Sequence, residues 1–120
     1  MPDTLVAPNS VSIAADASTL ARFFRVLADP TRLRLLAALE SGERTVTELI
    51  EAVGGSQARI STHLACLRHC GFVTTERSGR QIIYRLSLSG IDGLLGRTRE
   101  ISLPAADRLA TCTRVGPEWI

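Results

Sequence analysis

The stretch that most restricts what this chain can become is residues 56–71, SQARISTHLACLRHCG. Ser56 is a favoured N-cap, because its hydroxyl accepts from the unpaired amides of a first helical turn. Ile60, Leu64 and Leu67 recur at spacings of four and three, giving one apolar stripe. Gly71 stands where helices commonly end in a left-handed residue. The spacing therefore predicts a helix with a single buried side. Opposite the stripe stand Gln57, Ala58, Ser61 and Thr62, side chains short enough to let the helix approach the edges of bases. In the second half, Cys66 and Cys70 are four residues apart, so their sulfurs share a face.

The neighbouring segments fit a small all-α scaffold with one hairpin. Residues 46–53, VTELIEAV, read as a helix capped by Thr45, with Glu48 as its capping-box partner. Gly54-Gly55 breaks that helix and leads directly to Ser56. Two short helices on a tight glycine turn, the second opening with small polar residues, form a helix-turn-helix. Upstream, Asp29-Pro30 opens TRLRLLAALES with Asp as N-cap and Pro at N1. This helix is expected to bury Leu33, Leu36, Ala37 and Leu39 and to end at Gly42. Asp16 is expected to cap an earlier helix, ASTLARFFRVLA, with Leu20, Phe23, Phe24 and Leu27 as its apolar face.

After Gly71 the period becomes alternating. Residues 72–76 and 81–86 flank Arg77-Ser78-Gly79-Arg80, a two-stranded β-hairpin. A hairpin in this position is a wing, with Arg77 and Arg80 at its tip placed to reach a DNA backbone or minor groove. Residues 88–101 are again helical in spacing, through Leu88, Ile91, Leu94, Leu95 and Ile101. Gly90, Gly93 and Gly96 weaken an exposed helix by about 1 kcal/mol each; close helix-to-helix approach in a dimer would account for them. Pro104 starts a turn or short helix ending at Cys112, and Gly116-Pro117 marks a frayed end near Trp119. The expected class is mainly α (α+β): a winged helix-turn-helix of five to six helices with a two-stranded wing. The expected organisation is a loose arm over residues 1–15, a DNA-binding and dimerisation domain over 16–101, and a C-terminal segment over 102–120.

A chain of 120 residues is one domain. Its net charge of +2 names no partner, but all 14 basic residues are Arg. Arg binds phosphate and guanine bidentately where Lys does not; a genomic preference for Arg explains the same count. Three cysteines, an odd number, point to free thiols or metal ligands rather than a disulfide framework. No apolar run has membrane-spanning length and no leader pattern is visible, so a soluble cytoplasmic protein without a membrane partner is expected. No nucleophile–base pair, phosphate-cradling loop or HExxH is present, so an enzyme is not expected.

Taken together, LADPTRLRLLAAL, VTELIEAVGGSQARISTHLACLRHCGFV and ERSGRQIIYRL resemble the ArsR/SmtB family of winged-helix metalloregulatory repressors, over roughly residues 18–100. The resemblance implies a homodimer joined through its first and last helices, which occludes operator DNA until an inducer binds. One branch of that family places a cysteine pair in the helix before the recognition helix; TVTELIEAV has none. Another uses Asp and His on the last long helix; residues 88–112 hold Asp92 and Asp107 but no His. The CmtR-type cadmium- and lead-sensing branch carries HLxCLRxCG and a third, C-terminal cysteine. HLACLRHCG matches at Cys66 and Cys70, and Cys112 stands about where the third ligand is implied. Its flanking residues match nothing in that pattern, and Pro104 breaks the helix before it.

A cysteine pair at this spacing holds its β-carbons about 5–6 Å apart, which two metal–sulfur bonds of about 2.3 Å or longer close. Thiolates favour soft ions, Cd2+ or Pb2+ first, with Hg2+, As(III) and Zn2+ left open. Zinc wants a fourth ligand, which His63 is placed to supply; His63 is equally placed to bond backbone or DNA, and His69 points elsewhere. On spacing alone the cysteines are as readily small buried hydrophobes. The expected mechanism has a metal-free dimer holding double-stranded operator DNA through Ser56, Gln57, Ala58, Arg59, Ser61, Thr62, Arg77 and Arg80. Metal would draw Cys66 and Cys70 towards Cys112, on the other subunit, and release the DNA. Moving a repressor from 99% to 1% competent needs about 5.5 kcal/mol, within the roughly 10–16 kcal/mol of structural zinc–thiolate sites. The alternative is a redox switch, in which Cys66 or Cys70 oxidises and pairs with another thiol.

Overall fold

Asp29 starts the helix that the rest packs around: its Oδ1 accepts from the Arg32 amide at 3.1 Å, with Pro30 in the first turn. Thr45 and Glu48 complete a reciprocal capping box for the next helix (Glu48 N–Thr45 Oγ1 3.2 Å; Thr45 N–Glu48 Oε1 2.8 Å). The computed structural model describes residues 10–114; the start of the expected loose arm and Trp119 lie outside the described residues. In chain order the elements are α1 (Ser10–Leu27), α2 (Pro30–Leu39), β1 (Arg44–Thr45), α3 (Val46–Val53), α4 (Gln57–His69), β2 (Val73–Ser78), β3 (Gln81–Leu86), α5 (Ile91–Ser102), a 3₁₀ turn (Leu103–Ala105) and α6 (Ala106–Thr111).

Gly54 and Gly55 take φ of +86° and +96°, so the chain reverses between α3 and α4 without a Cβ in the way. Gly71, at φ +83°, closes α4 in a Schellman motif: its amide donates to the Arg68 carbonyl at 3.1 Å and that of Phe72 to the Leu67 carbonyl at 2.9 Å. Phe72 and Leu67 are both buried beneath this turn. The core gathers Leu35, Leu36 and Leu39 from α2, Leu49 from α3, Ile60, Leu64 and Leu67 from α4, then Phe72, Val73, Ile91, Leu95 and Leu27. Each fully buried Leu or Ile contributes about 1.5–3 kcal/mol.

Several expectations are corrected. The first helix is not capped by Asp16; it begins at Ser10, since Ala14 and Ala15 are strong helix formers and no breaker separates Ser10 from Asp16. In α2 the inward row is Leu35, Leu36 and Leu39, while Leu33 faces out; a row two leucines wide at 35 and 36 outweighs one that begins at 33. The wing is part of a three-stranded sheet, order β1-β3-β2, because Arg44 and Thr45 pair antiparallel with Tyr84 and Ile83 of β3. Arg77 lies within β2 opposite Ile82, leaving a two-residue loop of Gly79 and Arg80. The last long helix starts at Ile91 rather than Leu88.

Candidate nucleic-acid interface and thiol pair

Ile60, Leu64 and Leu67 have no solvent exposure, so the buried side of α4 is pinned and its opposite side must face out. Gln57, Ala58, Arg59, Ser61 and Thr62 are all exposed. The Ser56 hydroxyl accepts from the Arg59 amide at 3.2 Å, so it serves first as the cap. Thr62 Oγ1 donates to the Ala58 carbonyl at 3.0 Å, which fixes its rotamer and leaves its oxygen available as an acceptor. Arg80 sits in the wing loop and Arg77 one pair back; both are exposed. The base of the wing is tied down by Arg85, whose Nη2 donates to Glu43 Oε2 and Glu76 Oε1, each at 2.6 Å. Arg34, not singled out in the sequence, lines with Thr31, Arg59 and the glycine turn an open cleft of about 220 Å³ beside the start of α4. No local pattern distinguishes Arg34 from the other arginines.

On the second half of α4, Cys66 is half-buried and Cys70 exposed. Burial, together with the Cys66 sulfur beside it, pushes the Cys70 thiol up, and the positive charge of Arg32 offsets part of that shift. Arg32 is the residue that sequence reasoning missed: its Nη1 donates to Cys66 Sγ at 3.0 Å. The two positions are 34 residues apart, on α2 and α4, so no helical spacing could pair them. His63 Nε2 lies 4.0 Å from Asp29 Oδ1. Burial raises the Asp29 carboxyl, but the Arg32 amide, the charges of His63 and Arg32 and the Thr31 amide together hold it below the usual value.

Cys112 caps the end of α6 and is half-buried. Among the described residues no three His, Cys, Asp or Glu side chains converge. One chain therefore brings Cys66 and Cys70 together and leaves Cys112 apart, so the expected three-sulfur set is not assembled within a single protomer. The physical reason is placement: α6 packs chiefly on the 3₁₀ turn before it. The two thiols that do meet suit a soft ion as a two-ligand half-site.

The model of the family described as bacterial regulatory protein, arsR family, matches residues 29–75. A probable mercury resistance operon repressor of Streptomyces lividans is 44% identical over 100 residues, covering 83% of this chain and 80% of that protein. The chain belongs to the ArsR family. A second ArsR-type relative, the transcriptional regulator CmtR of Mycobacterium bovis, is 42% identical over 86 residues, 72% of this chain and 73% of its own length. The homodimeric winged helix-turn-helix DNA-binding domain of a possible ArsR-family regulator from Mycobacterium bovis, solved by NMR, superposes with a TM-score of 0.67. It is 29% identical and covers 81% of this chain and 90% of that one. ArsR-family proteins are transcriptional regulators, not enzymes. Among the described residues no helix is long and apolar enough to cross a membrane.

Proposed function

We propose that this ArsR-family protein is a cytoplasmic repressor that binds operator DNA as a metal-free homodimer and releases it when a soft heavy-metal ion, Cd2+ or Pb2+, is taken by cysteine thiolates. The single observation that carries this reading is the double use of α4: its first turns expose Gln57, Ala58, Arg59, Ser61 and Thr62, and its end carries the paired Cys66 and, at the C-cap, Cys70. Ser56, Arg77 and Arg80 complete the DNA-contacting set. Cys66 and Cys70 are two ligands, and Cys112 of the partner subunit is the third, consistent with its separation from the pair within one chain. Tension between the thiols and the opposite subunit re-aims the helix that lies in the groove, so DNA and metal compete for its position.

A second reading, with Hg2+ as inducer, is favoured by the mercury resistance operon repressor among the relatives. The test is an operator gel shift titrated with Cd2+, Pb2+, Hg2+, arsenite and Zn2+, on the wild type and on Cys66→Ser, Cys70→Ser and Cys112→Ser. Each serine variant is expected to bind operator as the wild type does when metal-free and to stay bound at inducing metal concentrations. Metal that tightens operator binding would reverse the sign of the proposal; release that survives loss of Cys66 and Cys70 would remove the thiol pair from it.

A further inference from the structure

The guanidinium of Arg32 is a cation set into the fold without a full complement of partners. Its Nη1 donates to Cys66 Sγ at 3.0 Å, while its Nε is buried and has no hydrogen-bond partner among the described residues. Among those residues, too, no carboxylate stands within ion-pairing distance of it. Asp29, three residues away, commits Oδ1 to the backbone amide of Arg32. Arg32 is half-buried and its charge reaches Asp29 only through space, so its buried Nε is a donor left unmet, which costs stability until an acceptor or negative charge comes to it. The sulfur it already touches is the atom that acquires such charge, because a thiol gives up its proton when it takes a metal.

We propose that Arg32 is a positioning and charge-selecting residue of the thiol site, favouring metal complexes whose thiolate cluster is net negative over neutral ones. The inference rests on Cys66, Cys70 and Cys112 being the ligands. A divalent cadmium ion that takes three thiols releases three protons and leaves a cluster of charge −1 (Cd2+ + 3 RSH → Cd(SR)3− + 3 H+). Arsenous acid that takes the same three thiols releases three waters and leaves a neutral cluster (As(OH)3 + 3 RSH → As(SR)3 + 3 H2O). Neither step changes an oxidation state. The single positive charge of Arg32 neutralises the first cluster and has nothing to neutralise in the second. Its donated hydrogen bond also fixes where the Cys66 sulfur points before the ion arrives.

The test compares Cd2+ and arsenite affinities of the reduced full-length chain, by competition against a chelator for cadmium and a dithiol for arsenite. Formation of each complex is followed by the ultraviolet absorbance of the metal- or arsenic-bound thiolates. Arg32→Gln is expected to weaken cadmium about 10–100-fold, in the range of outer-shell partners, and arsenite by less than about threefold. Arg32→Lys, which keeps the charge, is expected to preserve the cadmium-to-arsenite ratio. Equal losses for both ions in Arg32→Gln, or no loss for cadmium, would overturn the proposal. Should Arg32→Gln fail to fold, Arg32→Met, neutral and of similar length, is read by the same criteria: a selective loss of cadmium supports the proposal, and equal losses or no loss of cadmium overturn it. A wild type that shows no thiolate absorbance with either ion would instead sink the ligand assignment itself, and the inference with it.

Discussion

The middle of the chain and its two flanks are finished to different degrees. From α2 to β2, Leu35, Leu36, Leu49, Ile60, Leu64 and Leu67 close on one another with no exposure, while Leu33 faces out. On the flanks, Leu20 and Phe24 of α1, Ile101 of α5, Leu103 and Leu109 are all more than half exposed. A Cβ added at Gly93 or Gly96 of α5 would meet nothing within 4 Å, so nothing inside one protomer requires glycine there. The middle is closed within one protomer, with Leu27 of α1 and Ile91 and Leu95 of α5 completing its core, whereas the outer faces of the flanks carry surface that water does not favour and that a second copy would cover. Cys112 rides on the same unfinished flank, separate from Cys66 and Cys70. If Cys112 is the third ligand, the same partner surface that covers the flank would bring it to the pair.

The strongest way to break this contrast is to make the flank polar. Phe24→Glu combined with Ile101→Glu is expected to give a folded monomer, by sedimentation and circular dichroism, because the middle does not depend on that surface. Operator affinity should fall about 10²–10⁴-fold, the amount that two linked half-site contacts ordinarily add. A variant that stays dimeric with full affinity would place the interface elsewhere. The converse change strikes the middle: Leu64→Ala should cost about 2–5 kcal/mol in urea unfolding. Measured in the monomeric background, that cost should not depend on protein concentration; a dependence would mean that the middle, too, is completed by the partner.

How far the sequence could be read follows the same division. Caps and stripes are local, and they were legible: Asp29, the Thr45–Glu48 box, Ser56 and the Gly71 stop all do what their residue types and spacing imply. The spacing of α1 marks one apolar face, but Leu20 and Phe24 are exposed in the single chain; hydropathy marks a side chain for burial without saying against which copy. Arg32 was illegible because its partner sulfur is reached across the packing of α2 on α4, not along either helix. The β1 pairing was missed because two residues, Arg44 and Thr45, are too few to show alternation. The helix starting at Ser10 rather than at Asp16 shows a good cap residue overridden by a segment with nothing to stop it.

A smaller effect should separate α4 from the wing, the two elements proposed to contact DNA. Arg80 is exposed in a two-residue loop, where it is proposed to meet phosphate rather than base edges. Arg80→Ala should weaken operator and unrelated DNA alike and lower the slope of log affinity against log salt by about one. Gln57→Ala, on the outward face of α4, should instead reduce the preference for operator over unrelated DNA and leave the slope as it was. A salt slope unmoved by Arg80→Ala removes the wing tip from the phosphate contacts and leaves α4 alone as the reading element.

The smallest change expected is also the cleanest measure of what the middle holds without its flanks. Asp29 caps α2 and its carboxyl titrates below the usual value. A carboxylate whose folded value lies under its unfolded one adds stability that is present above the unfolded value and is lost as pH falls through the folded one. Asn caps a helix about as well as Asp, so Asp29→Asn should cost less than about 1 kcal/mol near neutral pH. The difference between the two proteins should shrink on acidification and vanish once Asp29 is protonated in both states. Urea midpoints taken from pH 7 down to pH 2 in the monomeric Phe24→Glu/Ile101→Glu background report this directly. A gap that widened towards acid would mean that Asp29 is held above its ordinary value, with burial outweighing the Arg32 and Thr31 amides and the neighbouring charges of His63 and Arg32.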